Sequence, residues 1–398
     1  MDTPYQKFTQ GLKNKGEWRE LQPYSPSASG QIRRDMEDFI NFSSNDYLNL
    51  SQSREMRMRA ISFAQQFGCG STASRLVTGN LTAFEEIEHK LANAIGKPST
   101  LIFSSGYQTN SSVLPALMDR HVLGLDVVVF ADRLNHNSLV TGVKLAGAEL
   151  RRYRHLDLNH LEDLLKKSMM RKISRFIVSE TLFGMDGDRA NVPGLIALAK
   201  KYNAFLYLDD AHAVGVLGQN GWGLTAQYAD QIDCIMGTFG KAFGSSGAYV
   251  ACSHVLREYL INRCPGFMFS TGLSPLIWGT IDAAIDMIPG LSVSRSKLLA
   301  NADYFRSAIR PLQLETMHSD AHITPLIVGE AKDAMQLQKS LEHQGILCMA
   351  IRPPTVPQGT SRLRISMTAA HSTHHVDQLI QALFRWCKHK PDISNIAA

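Results

Sequence analysis

Six short, unbroken apolar runs set the tightest limit on how this chain can fold: residues 101–103, 127–130, 176–178, 205–208, 235–236 and 249–251. Strands formed at such runs are apolar toward both faces, so both faces must be covered. Between several of them lie stretches of helical period. Phe84, Ile87, Leu91 and Ile95 mark one, opened by a predicted capping box at Thr82 and Glu85, and another runs from Val192 to Tyr202. Strands alternating with helices predict an α/β protein with a largely parallel sheet. Such sheets bind ligands at the carboxyl ends of their strands, so the residues just after each run matter most.

The last hundred residues change character. Strands are predicted at Ile323 to Val328, Ile346 to Ile351 and Arg362 to Met367, with a Pro-rich turn before the third. A final helix places Val376, Leu379, Ile380, Leu383, Phe384 and Cys387 on one face, and the tail after Lys390 is expected to fray. The predicted organisation is an N-terminal arm over 1–45, a large domain over 46–289 and a small α+β domain over 290–398.

With 44% apolar and 19% charged residues in 398, the chain is neither disordered, coiled-coil nor collagen-like. A net charge of +5 without a Lys/Arg block suits a small anionic ligand and argues against nucleic acid. No run approaches the roughly 20 apolar residues of a membrane span, and Met1 to Leu21 is polar where a signal peptide would be apolar. The six cysteines are scattered with no C-x-x-C pair, as in a reduced cytoplasmic enzyme without disulfides or zinc.

Several motifs fail on context. The G-x-G-x-x-A match at 68–73 follows a helical stretch, Gly240-Lys241 lacks the rest of a P-loop, and Asp186-Gly187-Asp188 is too short for a calcium loop. His371, His374 and His375 are expected to be solvated residues at the start of the last helix, and no metal site is predicted. What survives is three strand ends. One run ends in Asp209-Asp210-Ala211-His212, which could also be a simple helix N-cap. A second ends in Gly237-Thr238-Phe239-Gly240-Lys241, where a desolvated lysine becomes a nucleophilic amine. A third ends in Ser104-Ser105-Gly106-Tyr107, a helix start that offers N–H groups to a phosphate. A carboxylate, an amine and a phosphate cradle on one sheet describe pyridoxal phosphate chemistry.

At these residues the chain resembles the α-oxoamine synthases, pyridoxal phosphate enzymes that condense an amino acid with an acyl thioester and release carbon dioxide. The resemblance rests on Asp-Asp-Ala-His at 209–212, Thr-Phe-Gly-Lys-Ala-Phe-Gly at 238–244 and Asn-Phe-Ser-Ser-Asn-Asp-Tyr-Leu at 41–48. It implies fold type I of the pyridoxal phosphate transferases, with a mostly parallel seven-stranded sheet in the large domain. It also implies that Lys241 holds the cofactor covalently and then acts as acid and base. Asp209 would meet the pyridine nitrogen, His212 the ring hydroxyl and His136 the ring face. Ser105, Gly106, Tyr107 and Thr238 would surround the phosphate and ring edge. Ser270 and Thr271 would reach the phosphate from a neighbouring subunit, making a homodimer with shared active sites. Arg364 would hold the amino acid's carboxylate, and Asn45 would line the substrate pocket and Thr355 the acyl end.

Residues 351–364, 369–371 and 74–79 resemble the members that serve biotin synthesis, which join L-alanine to a pimeloyl group carried on CoA or acyl carrier protein. Relatives using glycine or serine, and plain aminotransferases, are the alternatives. Two positions depart from the family pattern. Gly184 stands where Ser is usual, and Thr72 stands where the family often has Gly. Arg19 corresponds loosely to a substrate-contacting arginine.

Overall fold

In the computed structural model, which describes residues 2–389, the apolar runs become the centres of longer strands. The chain forms two compact units. The larger comprises residues 45–184 and 188–296, and the smaller 2–44, 185–187 and the part from Lys297 onward.

The larger unit is built on β1 (Ser99–Phe103), β2 (Asp126–Asp132), β3 (Glu149–Tyr153), β4 (Ile173–Glu180), β5 (Ala204–Asp209), β6 (Cys234–Thr238) and β7 (Ala248–Cys252). They lie in the order β1-β7-β6-β5-β4-β2-β3, with β7 antiparallel to both neighbours and every other pair parallel. Six strands therefore end on the same edge of the sheet. β3 has no apolar run, because Glu-Leu-Arg-Arg-Tyr is a border strand with one neighbour and four of its five residues exposed to some degree. Only the sheet shows it to be a strand.

Leu101, Val129, Val178, Tyr207, Met236 and Val250 belong to one buried apolar cluster with Val113 and Leu117 of helix α2 (Gly106–Leu117) and Leu139 and Val143 of helix α3 (Asn137–Leu145). Each fully buried side chain of this kind contributes about 1.5–3 kcal/mol. Helix α1 (Thr82–Ile95) buries Phe84, Ile87, Leu91 and Ile95. Its predicted capping box does not form. Thr82 already lies inside the helix, the N-cap is Leu81, and Glu85 instead accepts from Asn80 Nδ2 at 3.0 Å.

A buried charge cluster ties α1 to the sheet. Glu88 accepts from Arg75, from Arg257 Nη2 at 3.0 Å and from the Ile102 backbone N–H at 2.9 Å. The Arg75 guanidinium lies 5.3 Å from the Trp278 ring, which stacks on Phe84 at 4.0 Å. Close by in sequence, Thr72 has φ of 60°. A β-branched residue is strained in that left-handed region, which explains why glycine suits this position.

The smaller unit holds two sheets. Strands 323–329, 361–366 and 350–351 form an antiparallel sheet with 361–366 at its centre, and residues 25–26, 31–34, 37–41 and 346–347 form a second. The single strand predicted at 346–351 is thus two. Ile346 and Leu347 pair with the N-terminal segment, whereas Ala350 and Ile351 pair with 361–366. The final helix, Thr373–His389, buries Val376, Leu379, Ile380 and Leu383, with Phe384 and Cys387 half-buried. The tail after Lys390 lies outside the described residues.

His371 is not solvated. It is fully buried, stacked on Phe42 at 4.3 Å, accepts from Thr368 N–H at 3.0 Å and meets the Asn41 carbonyl through Nε2 at 3.1 Å. Burial pushes its pKa down to about 3, so it packs as a neutral ring. Asn41, which its Nε2 meets, lies 330 positions away, beyond the reach of local pattern. No single helix is long and apolar enough to cross a membrane, and no cluster of metal-ligating side chains occurs, among the described residues.

The Glu88 cluster makes a direct prediction. Glu88→Ala leaves two guanidiniums without their counter-charge and should lower unfolding free energy by about 3–5 kcal/mol, measured as a drop in the urea midpoint.

Candidate active site

The parallel register sets the site. Glu180 of β4 pairs with Asp209 of β5, which pairs with Met236 of β6. These strand ends and the loops after them line a cavity of about 200 Å³ that also presents His136, His212, Thr238 and Lys241. Gly106, Tyr107 and Asn110 of α2 close another side.

Asp209 and Asp210 are neighbours with opposite roles, because successive side chains of an extended chain point to opposite faces. Asp209 lines the cavity. Its Oδ2 accepts from Asn110 Nδ2 at 2.8 Å and its Oδ1 from Ala211 N–H at 3.0 Å. Asn110 is held in turn by the Tyr207 hydroxyl, which donates to its Oδ1 at 2.7 Å. Asp210 accepts from Thr181, from the Thr225 hydroxyl at 2.8 Å and from the Leu224 and Thr225 N–H groups, so it braces a loop.

Lys241 sits in a tight turn after β6. Gly244 N–H donates to the Lys241 carbonyl at 2.8 Å, Phe239 N–H donates to Gly247 at 3.0 Å, and Phe239 and Phe243 are buried beneath it. Gly244 has φ of 60°, and a Cβ there would meet the Ser51 nitrogen at 2.2 Å, so only glycine closes this turn. The Thr238 hydroxyl donates to the Gly247 carbonyl at 3.0 Å.

His136 is the N-cap of α3. Its backbone N–H donates to Glu180 Oε1 at 2.6 Å, and its Nδ1 accepts from Ser138 N–H at 3.3 Å. The neutral ring therefore carries its proton on Nε2. Burial lowers its pKa, opposed by Asp209 and assisted by Lys241, which favours that neutral form. Burial, and next the Asp209 charge, push the Glu180 carboxyl up to about 8.

His212 Nδ1 meets the Tyr47 hydroxyl at 2.8 Å, and Tyr47 donates to Asn45 Oδ1 at 3.0 Å, so Asn45 joins the site through this chain. The missing hydroxyl at Gly184 has a steric counterpart. A Cβ there would lie 2.2 Å from His212 Nε2, so the imidazole takes the room a side chain would need.

Ser105 caps α2, its hydroxyl accepting from Gln108 N–H at 3.2 Å, and Gly106 and Tyr107 open the helix. The first N–H groups of a helix have no intrahelical partner and suit a phosphate. Ser270 bonds Gln108 Nε2 at 2.7 Å within the same chain and Thr271 bridges Ser74; neither lines the cavity. Thr355 and Arg364 belong to the smaller unit. Arg364 is buried on strand 361–366 and donates to Ser366 at 2.8 Å, while the Thr355 hydroxyl accepts from Arg19 at 3.3 Å.

Sequence patterning alone does not single out Asn110, Ser138, Tyr47 or Glu180. Each had a local signal: Asn110 is one turn beyond Gly106, Ser138 and Tyr47 are two positions from His136 and Asn45, and Glu180 ends an apolar strand.

An amine, a buried carboxylate, a neutral imidazole and a helix N-terminus around one cavity fit pyridoxal phosphate, with Lys241 for the aldehyde and Asp209 for the ring nitrogen. The raised Glu180 pKa has a consequence for the cofactor-free protein. Between the ordinary carboxyl range and about pH 8 the unfolded chain has released a proton the folded one keeps. Stability conferred by Glu180 should therefore fall as pH rises through that window. Glu180→Gln, which mimics the protonated form, should flatten this fall in urea titrations between pH 5 and 9.

Residues 37–383 match the aminotransferase class I and II family. A Magnetococcus marinus protein provisionally named 8-amino-7-oxononanoate synthase is 49% identical over 96% of both chains. The 8-amino-7-oxononanoate synthase of Gluconacetobacter diazotrophicus is 46% identical over 92% of both. A serine palmitoyltransferase variant from S. paucimobilis, solved with bound PLP, superposes with a TM-score of 0.89 at 23% identity over 98% of both chains. That likeness shows the fold, type I of the pyridoxal phosphate enzymes. The chain belongs to the aminotransferase class I and II family and, within it, to the 8-amino-7-oxononanoate synthases, pyridoxal phosphate-dependent acyltransferases.

Proposed function

We propose that the enzyme condenses L-alanine with a pimeloyl thioester of CoA or acyl carrier protein, in the cytoplasm, for biotin synthesis. The carbon–carbon bond forms between the alanine α-carbon and the acyl carbon as the thiol departs. Loss of the original carboxylate as carbon dioxide leaves 8-amino-7-oxononanoate. The observation that carries this reading is the meeting of Lys241, Asp209, His136 and His212 at one cavity, in a chain 49% identical to a relative of that name.

Pyridoxal phosphate, when bound, supplies an electron sink for the α-carbon. The protein's own groups do the rest. Lys241 takes the α-proton and later returns one, the turn at 239–247 keeping its amine at the cavity. Asp209, held by Asn110 and Ala211, would meet the ring nitrogen. With the cofactor bound, His136 would pack on the ring face as a neutral imidazole, and His212 would meet the ring hydroxyl. Ser105, Gly106, Tyr107 and Thr238 hold the phosphate side, joined by Ser270 of the partner subunit and Thr271 of the partner subunit in a homodimer. Asn45 lines the substrate pocket, and the Arg364 guanidinium takes the amino acid's carboxylate in two hydrogen bonds.

The acyl end finds support in a groove of about 540 Å³ in the smaller unit, where Trp18, Met335, Met349 and Ile351 meet Arg19 and Arg352, beside Thr355. Burial and the neighbouring Arg19 charge lower the Arg352 pKa, so two like charges there gain from an anion. An apolar wall with Arg19, Arg352 and Lys339 set against the one carboxylate of Glu20 suits a chain ending in a carboxylate.

The test is free-thiol release by the PLP-loaded protein supplied with pimeloyl-CoA and L-alanine, glycine or L-serine. Fastest release with alanine supports the reading, whereas release only with glycine or serine replaces alanine and leaves the Lys241 chemistry standing. Lys241→Ala should abolish release and the covalent cofactor link, and retained turnover would sink the assignment. Arg19→Ala should raise KM for pimeloyl-CoA about tenfold with kcat little changed, while heptanoyl-CoA, which lacks the terminal carboxylate, shows no such rise.

A further inference from the structure

Behind the His136 turn lies a charge cluster with no part in the chemistry above. His155 follows border strand β3, and its imidazole is inserted between two carboxylates: Nδ1 is 2.9 Å from Asp132 Oδ1 and Nε2 is 2.9 Å from Asp188 Oδ2. Ionised carboxylates only accept, so a ring bonded to one at each nitrogen carries both protons. The Asp188 counter-charge is otherwise poorly met, because its Oδ1 is buried without a hydrogen-bond partner.

Each carboxylate belongs to a different loop of the site. Asp132 ends β2 and also accepts from Leu134 N–H and Leu156 N–H, both at 2.9 Å, so it shapes the turn that delivers His136. Asn135 in that turn donates to the Val178 carbonyl at 2.8 Å. Asp188 lies in the hairpin after β4, where its carbonyl accepts from Phe183 N–H at 3.0 Å and Leu182 bridges Arg189. The Phe183 ring stands edge-on to the His155 imidazole at 4.5 Å. The next residue is Gly184, against which His212 packs.

We propose that His155 is a positioning residue, a doubly protonated imidazole that locks the His136 turn to the Phe183–Gly184 hairpin and so sets where His136 and His212 meet the cofactor ring. This rests on the pyridoxal phosphate reading of the cavity. Border strand β3 then has a functional reason to be there, since its end carries the cross-link between the ends of β2 and β4. Burial alone would lower the His155 pKa, but the hydrogen bonds and charges of Asp132 and Asp188 outweigh it and raise it to about 9. The other groups nearby do not compete. Tyr153 is buried with its phenol pushed far up by burial, and Arg154 pairs with Asp157.

The experiment has two arms, both on the full-length protein. In the first, ¹⁵N-histidine NMR of the PLP-loaded wild type at pH 7.5, with His155→Gln for assignment, should show both His155 ring nitrogens protonated; a neutral ring overturns the proposal. In the second, His155→Gln and Asp188→Asn are loaded with PLP and the pH midpoint of the cofactor's visible absorbance is measured beside kcat and KM. The midpoint should move by at least half a pH unit and kcat should fall at least tenfold in His155→Gln, with KM for the acyl thioester within twofold. An unchanged midpoint and kcat, or a loss of thermal stability alone, would assign His155 to packing only. Should His155→Gln not fold, Asp188→Asn keeps the side-chain size, removes the same charge pair and is judged by the same midpoint. If wild type takes up no PLP, the cavity reading fails instead, and the NMR arm on the unloaded protein still decides the protonation state.

Discussion

The parallel pairing of β4, β5 and β6 is the constraint on which the rest of the larger unit depends. Its register places Glu180, Asp209 and Met236 side by side, so two carboxyl groups on adjacent strand ends share a cavity with the lysine turn. A sheet covered on both faces leaves its strand ends as the place where polar groups can gather around a ligand. The helices α2 and α3 begin there as well, which brings a helix N-terminus and the His136 cap to the same edge.

Close packing of ionisable groups at that edge divides labour between them. Asp209 receives a side-chain amide and a backbone N–H, whereas burial and the Asp209 charge hold Glu180 toward its neutral form. One carboxyl thereby lines the cavity under two fixed donors, and the other serves as a hydrogen-bonding anchor for the His136 backbone. Asp210, one residue on, faces away and is consumed by Thr181 and Thr225. Steric limits act beside the electrostatic ones. Glycine at 184 leaves room for the His212 ring, and glycine at 244 lets the lysine turn close against Ser51.

Much of the site is legible in the chain because its parts are local. Lys241 among glycines and aromatics, Asp209 after an apolar run and Ser105-Gly106 before a helix each announce a chemistry within a few residues. The central strands are legible for the same reason, as unbroken apolar runs need no partner to be seen. Border strand β3 is not, because its exposed edge tolerates Glu149, Arg151 and Arg152 and so loses the pattern. The split at 346–351 is hidden too, since two short strands of different sheets are continuous in sequence. His371 illustrates the same limit: nothing near it in the chain reveals that Phe42 and Asn41 enclose it.

The class of protein is written in the chain: an alternation of buried strands and helices, a lysine, an aspartate and a phosphate cradle at strand ends, and the family these imply. Those properties follow from apolar period and residue type, which are local and survive without coordinates. The tertiary structure alone decided that Asp210 turns away to brace a loop, that Asn110, Tyr47 and Glu180 hold the groups that face the cavity, and that His155 joins two loops. Such choices depend on strand register and on contacts between segments tens or hundreds of residues apart, and folding creates those neighbours.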